Sequence, residues 1–232
     1  PKVCSWTAVN FAEPLVRERM RAFVRQFLEK YDMDGLEIDF FRHCQIFKSV
    51  ADGGVASEAE LAVLTELMAY VRETAEAFGR KRGRPILVAI RTPDSVGYCR
   101  AVGIDLETWF SKKLVDIWTS TGYFQHEQWP TTVAFAKKHG VRCFASMDES
   151  RIPGAARSGK CPIIEGRETK AHYRARFAAA FAAGCDGANL FNLEYARLTD
   201  IVRVFDASGL KQELIYVRNG KPITYGSHVA DL

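Results

Sequence analysis

The stretch Asp34-Gly35-Leu36-Glu37-Ile38-Asp39-Phe40 decides the fold of this chain. Apolar and acidic side chains alternate through it, which is the pattern of a β-strand, because successive side chains of a strand point to opposite faces. The apolar side chains therefore share one face, where helices would cover them. Glu37 and Asp39 share the other face, and Asp39 lies nearer the end of the strand.

Amphipathic helices are predicted on both sides of this strand. Upstream, apolar residues recur at helical spacing over residues 16–27, and Pro14 fits the first turn of that helix. Downstream, Ser57 and Glu60 have the spacing of a capping box and open a second helix. Gly79 fits the C-terminal stop of this second helix.

The same alternation continues along the chain. Further strands are predicted at residues 85–91, 114–119, 141–148 and 186–192, and further helices at residues 105–112, 130–139, 168–183 and 198–205. Alternation of strands with helices is typical of a parallel sheet with right-handed crossovers. No Gly-rich phosphate fingerprint follows the first strand, so the sequence disfavours a dinucleotide-binding fold.

The five strands predict an α/β fold of the TIM type. A complete (β/α)8 barrel typically has about 250 residues or more, whereas this chain has 232 residues and five visible units. We therefore expect only the C-terminal five or six βα units, over residues 1–209, with residues 2–9 as the remnant of an earlier strand. The chain begins at Pro1 rather than Met, which indicates a fragment that has lost any targeting signal. An open five-stranded sheet is the competing architecture.

Residues 210–232 are predicted to form a C-terminal β-hairpin or the start of an accessory β-element. Asn219-Gly220 lies between two β-prone runs, and this dipeptide is a strong signal for a hairpin turn. Pro222 has no backbone N–H to donate, so its strand is expected at the edge of a sheet.

The composition excludes several classes of protein. With 47% hydrophobic and 26% charged residues, the chain has the composition of a globular protein. No run of about 18 uncharged apolar residues is present, so no membrane span is predicted. The net charge of +4 is spread along the chain, which argues against nucleic acid as the main partner.

The cysteines and histidines predict neither a metal site nor a cofactor. The six cysteines lie far apart and the five histidines form no i,i+4 pair, so the zinc-binding patterns are missing. Such spacing indicates buried, reduced thiols. The cysteines therefore favour a reducing compartment, whereas action on polysaccharides would favour export.

The first candidate catalytic group is Asp39, because the reactive residues of a parallel barrel stand at the C-terminal ends of its strands. Asp39 is the favoured nucleophile or base, oriented by Glu37 and a neighbouring arginine. The alternative is a structural ion pair with Arg42 or Arg91, since inward-facing carboxylates are costly to bury unless they are paired.

A second acidic pair ends the fourth strand, where Glu149 or Asp148 is the favoured acid. The alternative for this pair is helix capping or solvation of the loop. The loop at residues 150–167 is too long for a plain connector, and long loops on this face are often substrate loops or lids. Paired carboxylates catalyse glycoside hydrolysis, in which one protonates the leaving oxygen and the other attacks the sugar or activates water.

Side chains that can bind a sugar flank these acids. Arg91 ends its strand facing inward, where it forms either a structural salt bridge or a clamp for a carboxylate. Trp118 is predicted to point inward with Asp116 and Ser120, and the aromatic residues after it suit either a sugar-stacking platform or ordinary loop packing. The predicted binding residues are Glu37, Arg42, His43, Arg91, Trp118, Tyr123, His126, Asn189, Asn192 and Glu194.

Two segments resemble a known group of proteins. Residues 10–42 and 103–118 resemble segments of uncharacterised glycoside-hydrolase-like (β/α)8 barrel proteins of the glycosidase superfamily. The resemblance implies a barrel, a polysaccharide or glycoside ligand, and an acid at Asp39. The chitinase-type motif D-G-x-D-x-D-x-E is also similar to the first strand, with Phe41 at the position of its catalytic Glu and Glu37 at its first inner Asp.

The first strand is similar to a second motif, the α-amylase-type strand D-G-F-R-x-D-x-x-K-H. This similarity implies a nucleophile at Asp39, with Arg42 and His43 in the Lys-His positions and Glu37 where that family has an arginine. We therefore expect a glycoside hydrolase-like protein that acts on a poly- or oligosaccharide by carboxylate catalysis. The alternative is a non-catalytic barrel that binds carbohydrate or scaffolds an assembly. A metal-dependent lyase or isomerase is a third class.

Overall fold

The computed structural model describes residues 8–41, 43–121, 127–148, 170–191, 216–218 and 221–223. Strands and helices alternate along most of these residues. The helices are α1 (Pro14–Lys30), α2 (Lys48–Ala51), α3 (Glu58–Arg82), α4 (Val96–Ala101), α5 (Leu106–Ser111), α6 (Trp129–His139) and α7 (Lys170–Ala182). The strands are β1 (Gly35–Asp39), β2 (Leu87–Pro93), β3 (Ile117–Thr121), β4 (Arg142–Asp148), β5 (Gly187–Phe191), β6 (Tyr216–Arg218) and β7 (Lys221–Ile223).

The first five strands form one sheet in sequential order, β1-β2-β3-β4-β5. The strands β1 and β2 pair parallel, with Asp39 opposite Arg91. The strands β4 and β5 also pair parallel, with Ser146 opposite Asn189. This order confirms the predicted α/β class and the parallel sheet with helical crossovers.

The chain divides into two compact units. Unit 1 contains residues 1–118 and 139–141, and unit 2 contains residues 119–138 and 142–232. The core of unit 1 lies where β2 packs against α3 and α4, which in turn pack against α5. Its fully buried side chains include Val88, Ile90, Leu64, Met68, Trp109 and Phe110.

Unit 2 has its own buried side chains. One face of β4 provides Cys143, Ala145 and Met147. The helices α6 and α7 provide Val133, Ala136, Phe177 and Ala180. Among the residues that the structure describes, none of the helices is both long enough and apolar enough to cross a bilayer.

The ends of the first long helices follow the sequence signals in all but one place. Pro14 opens α1, and Ser57 and Glu60 form the predicted capping box of α3. The predicted stop at Gly79 is wrong, because α3 continues to Arg82 and ends at Gly83, whose φ of 71° is left-handed. Gly79 is needed for a different reason: a Cβ at this position would lie 2.9 Å from the carbonyl oxygen of Arg84, where the chain turns back across the helix.

The C-terminal part of the chain is described only in two short strands. The strands β6 and β7 pair antiparallel, with Tyr216 opposite Ile223. Residues 219–220 lie outside the described residues, and so does the predicted helix at 198–205. The domain boundary between residues 209 and 210 stays a prediction.

Candidate active site at the carboxyl end of β1

Asp39 is the last residue of β1, and two donors fix the orientation of its carboxylate. Nη1 of Arg91, the residue opposite it on β2, donates to Oδ2 at 2.9 Å. The backbone N–H of Phe41 donates to Oδ1 at 2.9 Å. Each carboxylate oxygen therefore has its own donor, so the plane of the carboxylate is set by the strand end itself.

The two partners of this ion pair differ in their exposure to solvent. The Arg91 side chain is 2% exposed, whereas the Asp39 side chain is 38% exposed. The guanidinium lies over the ring of Phe41, 4.9 Å from the ring centroid, and Phe41 is itself buried. The ion pair therefore neutralises a buried cation and still presents a carboxylate to solvent.

This geometry selects between the alternatives for Asp39 and Arg91. Of the two arginines predicted as partners of Asp39, Arg91 forms the ion pair, while Arg42 lies outside the described residues. Because Arg91 is buried and bound to Asp39, the salt-bridge interpretation of this arginine is favoured over a clamp that contacts ligand.

Glu37 and Asp39 lie on the same face of β1, as the alternation predicts. Both residues are exposed, whereas Ile38 between them is partly buried. Glu37 stands opposite Ala89 in the register of the two strands. His43, four residues beyond Asp39, is partly buried. This face of unit 1 therefore presents two carboxylates, of which Asp39 is nearer the strand end.

A buried thiol supports the backbone that holds Asp39. Cys44 donates from Sγ to the carbonyl oxygen of Phe41 at 3.4 Å. Burial, together with the negative charge of Asp39, raises the pKa of Cys44 to about 12, although Arg91 opposes the shift. Cys44 therefore remains a neutral donor at neutral pH and helps to fix the Phe41 peptide.

Trp118 does not point to the face predicted from the sequence. Its side chain is fully buried, its ring packs edge-on against Phe110 of α5, and its Nε1 donates to Oγ1 of Thr92 at 2.7 Å. Trp118 therefore faces the helices, and the predicted inward orientation is wrong. The prediction counted alternate residues from Asp116. That residue lies before β3, and its carboxylate accepts from Arg72 of α3.

Asp94 is a buried acid that was not predicted from the sequence, because the second strand was predicted to end at Arg91. The strand β2 continues to Pro93, and the residue that follows, Asp94, is 3% exposed. Oγ1 of Thr92 donates to the carbonyl oxygen of Pro93 at 2.9 Å, and Sγ of Cys99 donates to the same oxygen at 3.3 Å. A Thr-Pro-Asp sequence at the end of an apolar strand is the signal that would have identified Asp94.

In unit 2, Asn189 lies on the same face of β5 as Gly187 and binds the neighbouring strand. Oγ of Ser146 donates to its Oδ1 at 3.0 Å, and Ser146 is buried. Asn189 itself is partly buried. This amide therefore ties β5 to β4, and its predicted contact with a sugar stays a prediction.

The other predicted site residues stay predictions. Asp148 ends β4, opposite Phe191 on β5, and nothing is described of its side chain. The residues that lie outside the described part of the chain are Arg42, Tyr123, His126, Glu149, Asn192 and Glu194. Within the described ranges, no group of three or more His, Cys, Asp and Glu side chains is arranged to hold a metal ion.

Two solved structures resemble this chain. A glycoside hydrolase family 18 N-acetylglucosaminidase from Paenibacillus barengoltzii matches with a TM-score of 0.53 and 13% identity, over 86% of this chain and 77% of that chain. The chitinase ChiW from Paenibacillus sp. str. FPU-7, a cell-surface-expressed multi-modular enzyme, matches with a TM-score of 0.53 and 14% identity. That match covers 84% of this chain and 24% of the ChiW chain.

No family model matches the chain, and no curated protein matches it either. The likeness to the two solved structures therefore shows that this chain has a fold like that of these two enzymes, and it does not show membership of a specific family.

Proposed function

We propose that this chain is part of a TIM-type glycoside hydrolase-like barrel that acts on a poly- or oligosaccharide, with Asp39 as the nucleophile or base. The observation that carries the proposal is the carboxylate of Asp39, which is exposed to solvent at the carboxyl end of β1 and fixed there by Arg91 and the Phe41 N–H. The carboxyl ends of the strands are where barrel enzymes place their reactive groups.

The chemistry needs a carboxylate that is charged and correctly oriented before the sugar arrives. The Arg91 guanidinium and the Phe41 N–H each bind one oxygen of Asp39, and the two hydrogen bonds restrict rotation of the carboxylate. In glycoside hydrolysis such a group attacks the anomeric carbon or takes a proton from the attacking water. Glu149 and Asp148 remain the acids predicted to protonate the leaving oxygen.

The two structural neighbours guide the choice of sugars for the first test. Their names, N-acetylglucosaminidase and chitinase, make oligomers of N-acetylglucosamine the first ligands to test. Phe41 takes the place of the catalytic Glu of the chitinase-type motif, so catalysis by this chain would depend on a different acid.

A second function, binding of carbohydrate without catalysis, is favoured by the surroundings of Phe41. The residue is 6% exposed, and its ring supports the guanidinium of Arg91. A buried aromatic residue at the position of the chitinase-type acid is compatible with the barrel fold, but it removes one reactive group from the strand.

The test compares Asp39→Asn with Asp116→Asn. Asp116 is also an aspartate that accepts from one arginine and one backbone N–H, but it precedes β3 at the opposite end of the strands. Turnover of an oligosaccharide panel that includes N-acetylglucosamine oligomers is measured for each folded variant, together with sugar affinity. We expect Asp39→Asn to lower turnover by about 10²–10⁴-fold with affinity retained, and Asp116→Asn to retain both.

Each outcome has a defined meaning. Binding without turnover by the wild-type protein supports the non-catalytic barrel. Equal loss of turnover in the two variants indicates that Asp39 has a structural role only. Absence of both binding and turnover across the panel rejects both functions.

A further inference from the structure

Cys143 and Cys185 lie side by side where β5 begins beside β4. The backbone N–H of Asp186, the residue after Cys185, donates to the carbonyl oxygen of Cys143 at 2.8 Å. In return, the backbone N–H of Cys143 donates to Oδ2 of Asp186 at 2.8 Å. These two bonds hold the two segments together and bring Cys185, the neighbour of Asp186, close to Cys143.

Both thiols are free and shielded from solvent. Cys143 is 0% exposed and Cys185 is 7% exposed. The hydrogen bond to Cys185, followed by burial, raises the pKa of Cys143 above its ordinary value. Because a thiolate is the form that attacks electrophiles and binds metals, Cys143 is a poor nucleophile in the reduced, folded protein.

The other two described cysteines have different surroundings. Cys44 and Cys99 are also free and buried, but each donates to a backbone carbonyl, of Phe41 and of Pro93 respectively. Among the four cysteines that the structure describes, Cys143 and Cys185 are therefore the pair whose backbone segments are hydrogen-bonded directly to each other.

We propose that Cys143 and Cys185 are a redox pair that closes into a disulfide when the chain folds under oxidising conditions. Each thiol loses its proton, one S–S bond forms, and the two electrons pass to a low-molecular-weight disulfide such as glutathione disulfide, which becomes two thiols. The proposal goes beyond the carbohydrate function and does not depend on it.

The bond would close a loop from β4 to the start of β5. That loop contains Glu149 and residues 150–167, the predicted acid and the predicted substrate loop. A crosslink of this kind restricts the unfolded chain and therefore stabilises the folded one. The stability of this region would then depend on the redox state of the compartment in which the protein folds.

The test uses the full chain refolded from urea in a glutathione redox buffer or in excess reductant. After alkylation of free thiols, the peptides of the oxidised sample are mapped by mass spectrometry without reduction. We expect the peptides that contain Cys143 and Cys185 to be linked as the main disulfide. We also expect Tm to be about 5–15 °C higher in the oxidised than in the reduced sample.

Three variants control the experiment. Cys143→Ser and Cys185→Ser should each abolish the redox-dependent shift in Tm, whereas Cys99→Ser, at another buried thiol, should retain it. The proposal is overturned if Cys143 and Cys185 are recovered singly alkylated from the oxidised wild-type protein, or if either is linked mainly to another cysteine. The wild-type peptide map decides even if a serine variant does not fold.

Discussion

Asp39 and Asp116 are bonded in nearly the same way at opposite ends of the strands of unit 1. Asp39 accepts from Arg91 at 2.9 Å and Asp116 accepts from Arg72 at 2.7 Å, and each also accepts from one backbone N–H. The two carboxylates are 38% and 35% exposed. Bond counts and exposure alone therefore do not distinguish the candidate catalytic group from a structural one.

Two differences separate these aspartates. Asp39 uses one oxygen for each donor, whereas a single oxygen of Asp116, Oδ2, accepts from both Arg72 and the N–H of Val88. Asp116 thus ties the start of β2 to α3, at the end of the strands where barrel proteins place structural groups. Asp39 is therefore a candidate catalytic group because of its position at the carboxyl end of the strand, and not because of its ion pair.

The largest effect on stability is expected from Trp118, and it tests whether the carboxyl-end site includes this ring. Because the ring is fully buried against Phe110, Trp118→Ala should lower the free energy of unfolding by about 3–5 kcal/mol. Sugar affinity of the folded variant should stay unchanged. Urea unfolding and sugar titration measure the two quantities, and Trp118→Phe, which keeps most of the ring, serves as the milder variant. If the variant instead binds sugar more weakly and its free energy of unfolding is unchanged, Trp118 is part of the sugar-binding site.

The next largest loss of stability is expected when either ion pair is broken, and the two losses can be compared directly. Asp39→Asn leaves the guanidinium of Arg91, which is 2% exposed, without a counter-charge, whereas Asp116→Asn leaves Arg72, which is 13% exposed. Losing one partner of a buried pair costs about 3–5 kcal/mol, and the partial exposure of Asp39 lowers our expectation to about 2–3 kcal/mol. Asp116→Asn should cost about 1 kcal/mol in the same urea unfolding experiment.

A double variant sharpens this comparison. The double variant Asp39→Asn with Arg91→Met also replaces the guanidinium that has lost its counter-charge. It should recover part of the lost stability, because an apolar side chain of similar length needs no counter-charge. Equal losses for Asp39→Asn and Asp116→Asn, with no recovery in the double variant, would show that burial of Arg91 does not distinguish the two ends.

The smallest effect on stability is expected at Glu60. Its carboxylate also accepts hydrogen bonds, but a buried arginine is not among the donors. Burial raises the pKa of Glu60, but the N–H of Ser57 and the hydroxyls of Ser49 and Ser57 outweigh it, so the net pKa is lowered. The stabilisation is therefore present at neutral pH and is lost as the pH falls through the lowered pKa. Ser57→Ala should cost about 1 kcal/mol at pH 7 and less in acid, once the pH has fallen through the lowered pKa of Glu60.

The matched control for this pH dependence is Ser95→Ala. Ser95 caps α4 by accepting from the N–H of Tyr98 at 3.3 Å. Its loss should lower the free energy of unfolding by a similar amount at both pH values, because no carboxylate takes part. Thermal unfolding across the pH range measures both variants, and a parallel pH dependence would exclude Glu60 as the cause.

The features that the sequence predicts correctly depend on local patterns. The strand β1 is predictable because its side chains alternate, which also places Glu37 and Asp39 on one face. The start of α3 is predictable because Ser57 and Glu60 satisfy each other's backbone donors within one turn. In both cases the information lies within seven residues.

The features that the sequence does not determine depend on residues far apart along the chain. Trp118, Thr119 and Ser120 are all buried, so burial does not alternate there and the face of β3 cannot be counted from the pattern. The choice of Arg91 as the partner of Asp39 needs the register between β1 and β2, which only the folded sheet supplies.

The place of Phe41 limits the routes by which an acid could be introduced at this position of the chain. A glutamate at residue 41 would stand beside the one guanidinium that already neutralises Asp39, and it would remove the aromatic ring beneath that guanidinium. Among the residues that the structure describes there, the two carboxylates would then compete for the guanidinium of Arg91. Substitution at this position is therefore epistatic with residue 91, so the order in which the two residues change matters as much as what they become.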